Sequence, residues 1–216
     1  MKKLLFLVVA VFLSVVVGCG KYADEEKALE VSEEPGGSSV AMAEEFRLFG
    51  VYIDKGSGEN HFIPSGWMGD VNDVEFSDMS RENPHSGKTC IKVVYLPNAS
   101  GGNRWVGIYW QSTANNWGNK KGGYDLTGAT KLTFWARGDK GGERVEEFKL
   151  GGITGTYPDS DIAGIGPVIL TNEWQEYKID LGGKDLSYIN GGFGWATNLD
   201  VNPEGCTFYI DDIVYE

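Results

Sequence analysis

Past residue 45 the apolar side chains of this 216-residue chain recur at every second position, in short runs. The runs are Thr89–Tyr95, Arg104–Gln111, Thr130–Arg137, Glu146–Ile153, Pro167–Thr171, Trp174–Leu181, Gly192–Ala196 and Thr207–Tyr215, with an earlier one around Phe46–Ile53. A spacing of two places alternate side chains on opposite faces of a strand, whereas an amphipathic helix needs a spacing near 3.6. Glycine pairs at 101–102, 122–123, 141–142, 182–183 and 191–192 separate the runs and let the backbone turn. Their spacing follows no fixed period, which excludes a repeat protein. Many short strands with turn signals, in a segment long enough for one real core, predict an all-β, two-sheet antiparallel sandwich over 46–216.

Strand phasing sorts residues into faces. Leu132, Phe134 and Ala136 form a clean apolar set, leaving Thr133, Trp135 and Arg137 on the other side. In the aromatic block Arg104–Gln111, the set Val106, Ile108 and Trp110 is the more uniformly apolar and is assigned to the core. Trp105, Tyr109 and Gln111 then point away from it. Pooled with Trp135 and Arg137, they make a non-core surface of rings, a guanidinium and an amide. Such a mixture suits sugars, whose C–H faces stack on aromatics while their hydroxyls take polar partners. Trp117 and Tyr124 follow in the next loop and are expected to form one rim.

The ends of the chain carry a different signal. Lys2 and Lys3 precede an apolar stretch from Leu4 to Val17, the pattern of an export signal. The stretch is shorter than the roughly 20 residues a membrane-spanning helix requires. It ends in Val16-Val17-Gly18-Cys19, which resembles a bacterial lipobox. That resemblance implies removal of residues 1–18 and lipid, such as palmitate, on Cys19, anchoring the protein to a cell membrane or outer membrane. From Gly20 to Glu45 the sequence is acidic, with Pro35-Gly36-Gly37-Ser38-Ser39 at its middle, and lacks the apolar content to fold. With Cys19 it makes a tether, residues 19–45.

The chain carries 19 basic against 31 acidic residues and no basic cluster, so nucleic acid is excluded as a partner and neutral ligands fit better. With Cys19 assigned to lipid, Cys90 and Cys206 are left as a pair in an oxidising compartment, where a disulfide is permitted. Phasing puts Cys206 beside Phe208 and Ile210 but Cys90 opposite Ile91, Val93 and Tyr95, and the pairing stays open.

Several segments match a family pattern. They are Pro64–Asp70, Trp105–Trp110, Asn116–Gly118, Gly123–Ala129, Leu132–Gly138, Asn172–Tyr177 with Ile179–Leu181, and the closing Phe208–Ile213. Together they resemble the galactose-binding-like jelly rolls, among them the calcium-containing carbohydrate-binding modules appended to bacterial glycoside hydrolases. The resemblance implies a monomeric module that binds a neutral poly- or oligosaccharide, with a glycoside hydrolase or another envelope protein as a possible partner. It also implies a structural calcium held by Asp211, with Asp54, Glu59 and Asp70 as candidate companions.

An enzyme is disfavoured. Glycoside hydrolysis needs two carboxylates flanking one bond. Glu146-Glu147 and Glu173/Glu176 are the candidates, without the alternating acid spacing of a jelly-roll glucanase. His61 and His85 stand outside any ligand-spaced cluster, and no glycine pair is followed by the Lys-Ser/Thr of a phosphate loop. The expected function is non-catalytic capture of a glycan at the outer side of a membrane. The alternative is an envelope assembly module using the same face to bind protein.

Overall fold

The computed structural model describes residues 45–216; the export signal, Cys19 and the tether expected at 19–45 lie outside the described residues, save Glu45. In chain order the strands are β1 (Phe49–Tyr52), β2 (Ile63–Gly69), β3 (Val74–Ser80), β4 (Cys90–Tyr95), β5 (Trp105–Gln111), β6 (Lys131–Gly138) and β7 (Arg144–Val145). They continue as β8 (Glu147–Gly151), β9 (Ile162–Ile165), β10 (Val168–Ile169), β11 (Gln175–Asp180), β12 (Gly191–Asn198) and β13 (Cys206–Tyr215). A single 3-10 turn, Val71–Asp73, is the only helical element among the described residues. The all-β expectation holds.

Two antiparallel sheets face each other. The first runs β11-β6-β13-β4-β3, with β1 also paired to β13; the second runs β2-β5-β12-β8-β9. A two-stranded β7–β10 pair closes one side. The inward positions are those that alternation selects: Leu132, Phe134, Ala136, Val106, Ile108 and Trp110 are all buried. Aromatic pairs stitch the sheets together. Phe134 of the first sheet meets Phe148 and Phe193 of the second at 4.6 and 5.2 Å between centroids, and Trp195 meets Phe208 edge-on at 5.1 Å. Pairs of this geometry add about 1 kcal/mol each beyond the area they bury.

Two strands depart from what alternation alone suggests. The acidic segment Asp70–Glu75 contains the 3-10 turn Val71–Asp73 and runs straight into β3. β2 contains Pro64 and Gly66 and pairs on one side only, with a bulge between those residues. A missing N–H is tolerated on such an edge. Gly66 is required there, because a Cβ at this position would lie 2.7 Å from Cβ of Tyr109.

Register also settles the cysteines. Cys206 lies opposite Tyr95, and Ile210 opposite Ile91, so Cys90 sits at the far end of β4. The two are roughly 17 Å apart along the strand, well beyond disulfide reach. Both are free thiols.

Candidate functional site

β5 and β6 belong to different sheets, so their outward faces are the two opposite outer surfaces of the sandwich. This corrects the pooled surface expected from phasing. Trp105, Tyr109 and Gln111 stand on one side of the molecule, and Trp135 and Arg137 on the other, with the core between them. Phasing assigns a face within a strand; it carries no information about which sheet the strand joins.

The outer face of the first sheet is covered around Trp135 and Arg137. The β3–β4 connection crosses it, and the His85 ring stacks on Trp135 at 3.7 Å between centroids and 13° between planes. Arg137 is only 8 % exposed. Its guanidinium carbon lies 3.7 Å from the Tyr209 ring centroid, and its Nη2 donates to the Glu82 carbonyl at 2.9 Å. Trp174 donates through Nε1 to the Asn83 carbonyl at 2.9 Å. Trp135 and Arg137 therefore hold a loop, with Arg137 buried beneath it and Trp135 half-buried.

The outer face of the second sheet carries small residues: Gly66 of β2, Gly107 of β5, Gly194 and Ala196 of β12, and Gly164 of β9 lie on it by register, and the Tyr109, Gln111 and Met68 side chains pack over the first three. Tyr109 lies on this face, 3 % exposed. Its hydroxyl donates to the Gly151 carbonyl. Burial raises its phenol well above the ordinary range, with a smaller contribution from the Asp159 and Glu147 carboxylates. The ring is thus a fixed apolar floor and not the exposed platform expected of it.

Two tryptophans stand on this face. Trp105 is 38 % exposed and lies at the start of β5, beside the Arg104–Asp200 ion pair of 2.7 Å. Trp117 is 41 % exposed and stands edge-on over Tyr109, 6.2 Å between centroids. Trp105 and Tyr109 are four residues apart on one strand, which separates the two ends of the face by roughly 13 Å. Level with Tyr109, Lys149 of β8 holds its Nζ 5.7 Å from the Tyr109 centroid and 2.8 Å from Glu147 Oε2. An ammonium, a carboxylate and two half-exposed indoles thus share this face.

The loop carrying Trp117 is tied down by buried amides. Asn116 accepts from the Gly118 and Lys120 N–H groups and donates to the Ser112 and Lys120 carbonyls. Gln111, expected to bond a ligand hydroxyl, is fully buried instead. Its Nε2 donates to the Asn116 carbonyl at 3.1 Å and its Oε1 accepts from Ser65 at 2.9 Å. Gln111 therefore shapes the rim from beneath. The next loop joins in, with the Tyr157 N–H donating to the Gly118 carbonyl at 2.9 Å. Asp159 pins that loop by accepting from the N–H groups of Ile153, Asn190 and Gly191. Burial raises the Asp159 carboxyl above its ordinary value, and the three N–H donors oppose the shift.

Tyr124 is not part of this rim. Its ring packs against Phe49, His61 and Phe62, and its hydroxyl donates to the His61 carbonyl at 3.0 Å.

Of Asp211 and its candidate calcium companions, Asp54 meets the same β3–β4 connection as Asp211, and Asp70 is engaged elsewhere. Asp70 is buried and accepts from Asn103 and from the Arg104 N–H at 2.8 Å. Glu59 is exposed. Asp54 accepts from the N–H groups of Lys88 and Thr89, and Asp211 from those of His85, Ser86 and Asp212. Burial, then the neighbouring Asp212 charge, push the Asp211 carboxyl up to about 7 against those N–H bonds. No group of three or more His, Cys, Asp or Glu among the described residues converges as a metal site.

Sequence reasoning missed Lys149 and Asp159, weighed Glu147 only as a catalytic acid, and gave Asn116 no role of its own. Lys149 and Glu147 were legible: they alternate with the inward Phe148 and Leu150 along β8. The amide and carboxylate under the Trp117 loop leave no periodic trace.

No protein-family model and no curated protein sequence matches the chain. Solved structures do. A crystal structure of a family 30 carbohydrate-binding module is 16 % identical with a TM-score of 0.54, over 78 % of this chain and 87 % of that one. The family 30 module of a cellulosomal cellulase of Clostridium thermocellum is 15 % identical with a TM-score of 0.54, over 79 % of this chain and 97 % of that one. At such identities the likeness shows the fold: this chain is a jelly-roll β-sandwich of the kind that carbohydrate-binding modules share.

Proposed function

We propose that the domain is a non-catalytic glycan-binding module, held at the outer side of a membrane by lipid on Cys19. The observation that carries this reading is the pair of half-exposed indoles, Trp105 and Trp117, on one sheet face. Flat exposed rings suit the C–H faces of sugars. The Lys149–Glu147 pair offers a donor and an acceptor to their hydroxyls. The fold shared with family 30 carbohydrate-binding modules supports the same reading. The tether would hold the domain clear of the lipid surface and present it to a poly- or oligosaccharide outside the cell.

Each stacked ring contributes about 1 kcal/mol beyond area burial. Two such contacts with a few hydroxyl bonds place single-site affinity at roughly micromolar to millimolar. The test is affinity-gel electrophoresis of the protein through neutral polysaccharides: soluble cellulose, mixed-linkage glucan, mannan and xylan. Retardation by at least one, weakened in Trp105→Ala and Trp117→Ala, supports the reading. Unretarded migration through all of them contradicts it. It would favour the same face as a protein-binding surface of the cell envelope.

A further inference from the structure

The β3–β4 connection, Arg81 to Thr89, is fastened to three acids from two distant parts of the chain. Asp54 comes from the β1–β2 connection, and Asp211 and Asp212 from a bulge in β13, where Asp212 takes a positive φ of 45°. Every carboxylate oxygen of the three meets a hydrogen donor. Asp211 Oδ2 accepts from the His85 N–H at 2.9 Å and from Ser86, and its Oδ1 from the Asp212 N–H at 3.0 Å. Asp212 Oδ2 lies 2.7 Å from His85 Nδ1, and its Oδ1 accepts from the Ser86 hydroxyl at 2.9 Å. Asp54 Oδ1 accepts from the Thr89 N–H at 2.8 Å and from its hydroxyl, and its Oδ2 from the Lys88 N–H at 3.0 Å.

A calcium ion requires six to eight oxygens around one point at about 2.3–2.6 Å. Here the loop turns its N–H groups toward the carboxylates, so polar hydrogens stand where a cation would have to sit. Binding an ion would mean rotating several peptide units and releasing these bonds. The same turn of chain drops the His85 ring onto Trp135 and lays the carbonyls of Glu82 and Asn83 on Arg137 and Trp174.

We propose that the Arg81–Thr89 loop is a metal-independent latch: its backbone N–H groups and the His85 imidazole tie Asp54, Asp211 and Asp212 together without calcium. The latch lies over Arg137 and one side of the Trp135 ring on the outer face of the first sheet. It is independent of the glycan reading, because it concerns what holds the loop and not what the second sheet binds.

The test uses the full chain. Its melting temperature is measured after EDTA treatment and again with added CaCl2, and CaCl2 is titrated into the EDTA-treated, desalted protein by calorimetry. The latch predicts one melting temperature in both conditions and no saturable heat of binding. It also predicts that His85→Ala melts lower by roughly 3–6 °C, equally with and without calcium. A melting temperature that falls in EDTA and returns with CaCl2 overturns the proposal. So does saturable calcium binding that Asp211→Asn abolishes, or a His85→Ala variant as stable as the parent. The wild-type measurements decide the matter even if the variant fails to fold.

Discussion

The two outer faces of this sandwich are made of similar residues and do different work. The first sheet presents Trp135, Arg137, Tyr209 and, at its edge, Trp174; the second presents Trp105, Tyr109 and, from a loop, Trp117. On the first, a loop lies across the rings and engages Trp135, Arg137 and Trp174 in stacking, cation–π and hydrogen-bonding contacts within the chain. On the second, loops fold over one end only and leave Trp105 and Trp117 half exposed. An outward aromatic therefore says little about ligands until it is known what covers it. The cover is decided by loops, and loops follow local bonds such as those of Asp54, Asp211 and Asn116.

Substitutions can break this contrast, and they rank by size. Tyr109→Ala removes a buried ring from the floor and should cost about 3–5 kcal/mol of stability, read by urea denaturation. Because the floor collapses, glycan retention should be lost with it. Arg137→Ala comes next, at about 2 kcal/mol, from the loss of a desolvated cation–π contact and the stem packing beneath the loop. It should leave glycan retention unchanged, so a loss of retention without unfolding would mean the covered face also binds. Trp105→Ala and Trp117→Ala should each weaken binding by about 1 kcal/mol, a factor near five. Neither should move the denaturation midpoint by much. Lys149→Met is expected to have the smallest effect, about 0.5 kcal/mol in binding, since its ion pair with Glu147 is partly solvent-screened. A larger loss there would shift the balance from stacking toward hydroxyl recognition.

Much of this was legible in the residues. Alternation in Lys131–Gly138 and Trp105–Gln111 identified the inward side chains of both strands, because burying one face of a sheet imposes that pattern whatever the partner. Trp117 was legible as a rim residue from its place after β5. What alternation could not convey was long-range: that β5 and β6 lie in opposite sheets, and that β2 pairs through a proline and a bulge. Gln111 and Tyr109 illustrate the same limit. Both point away from the core as phased, yet both are buried, because the loops at 112–123 and 152–161 fold over that end of the face. Asp211 was marked by resemblance as a calcium ligand. Its partners turned out to be N–H donors of a loop over a hundred residues away in sequence, a contact that no local pattern encodes.

The chain has seven tryptophans, distributed between the core and the two outer faces, and each indole N–H gives its own signal. The most direct test of the account is a nitrogen-15 correlation spectrum of the tryptophan-labelled protein, titrated with the glycan that retards it most, with signals assigned by single substitution. The account predicts that the indole signals of Trp105 and Trp117 move with ligand while those of Trp135 and Trp174 stay in place. Movement of Trp135 and Trp174 with Trp105 and Trp117 unmoved would contradict it.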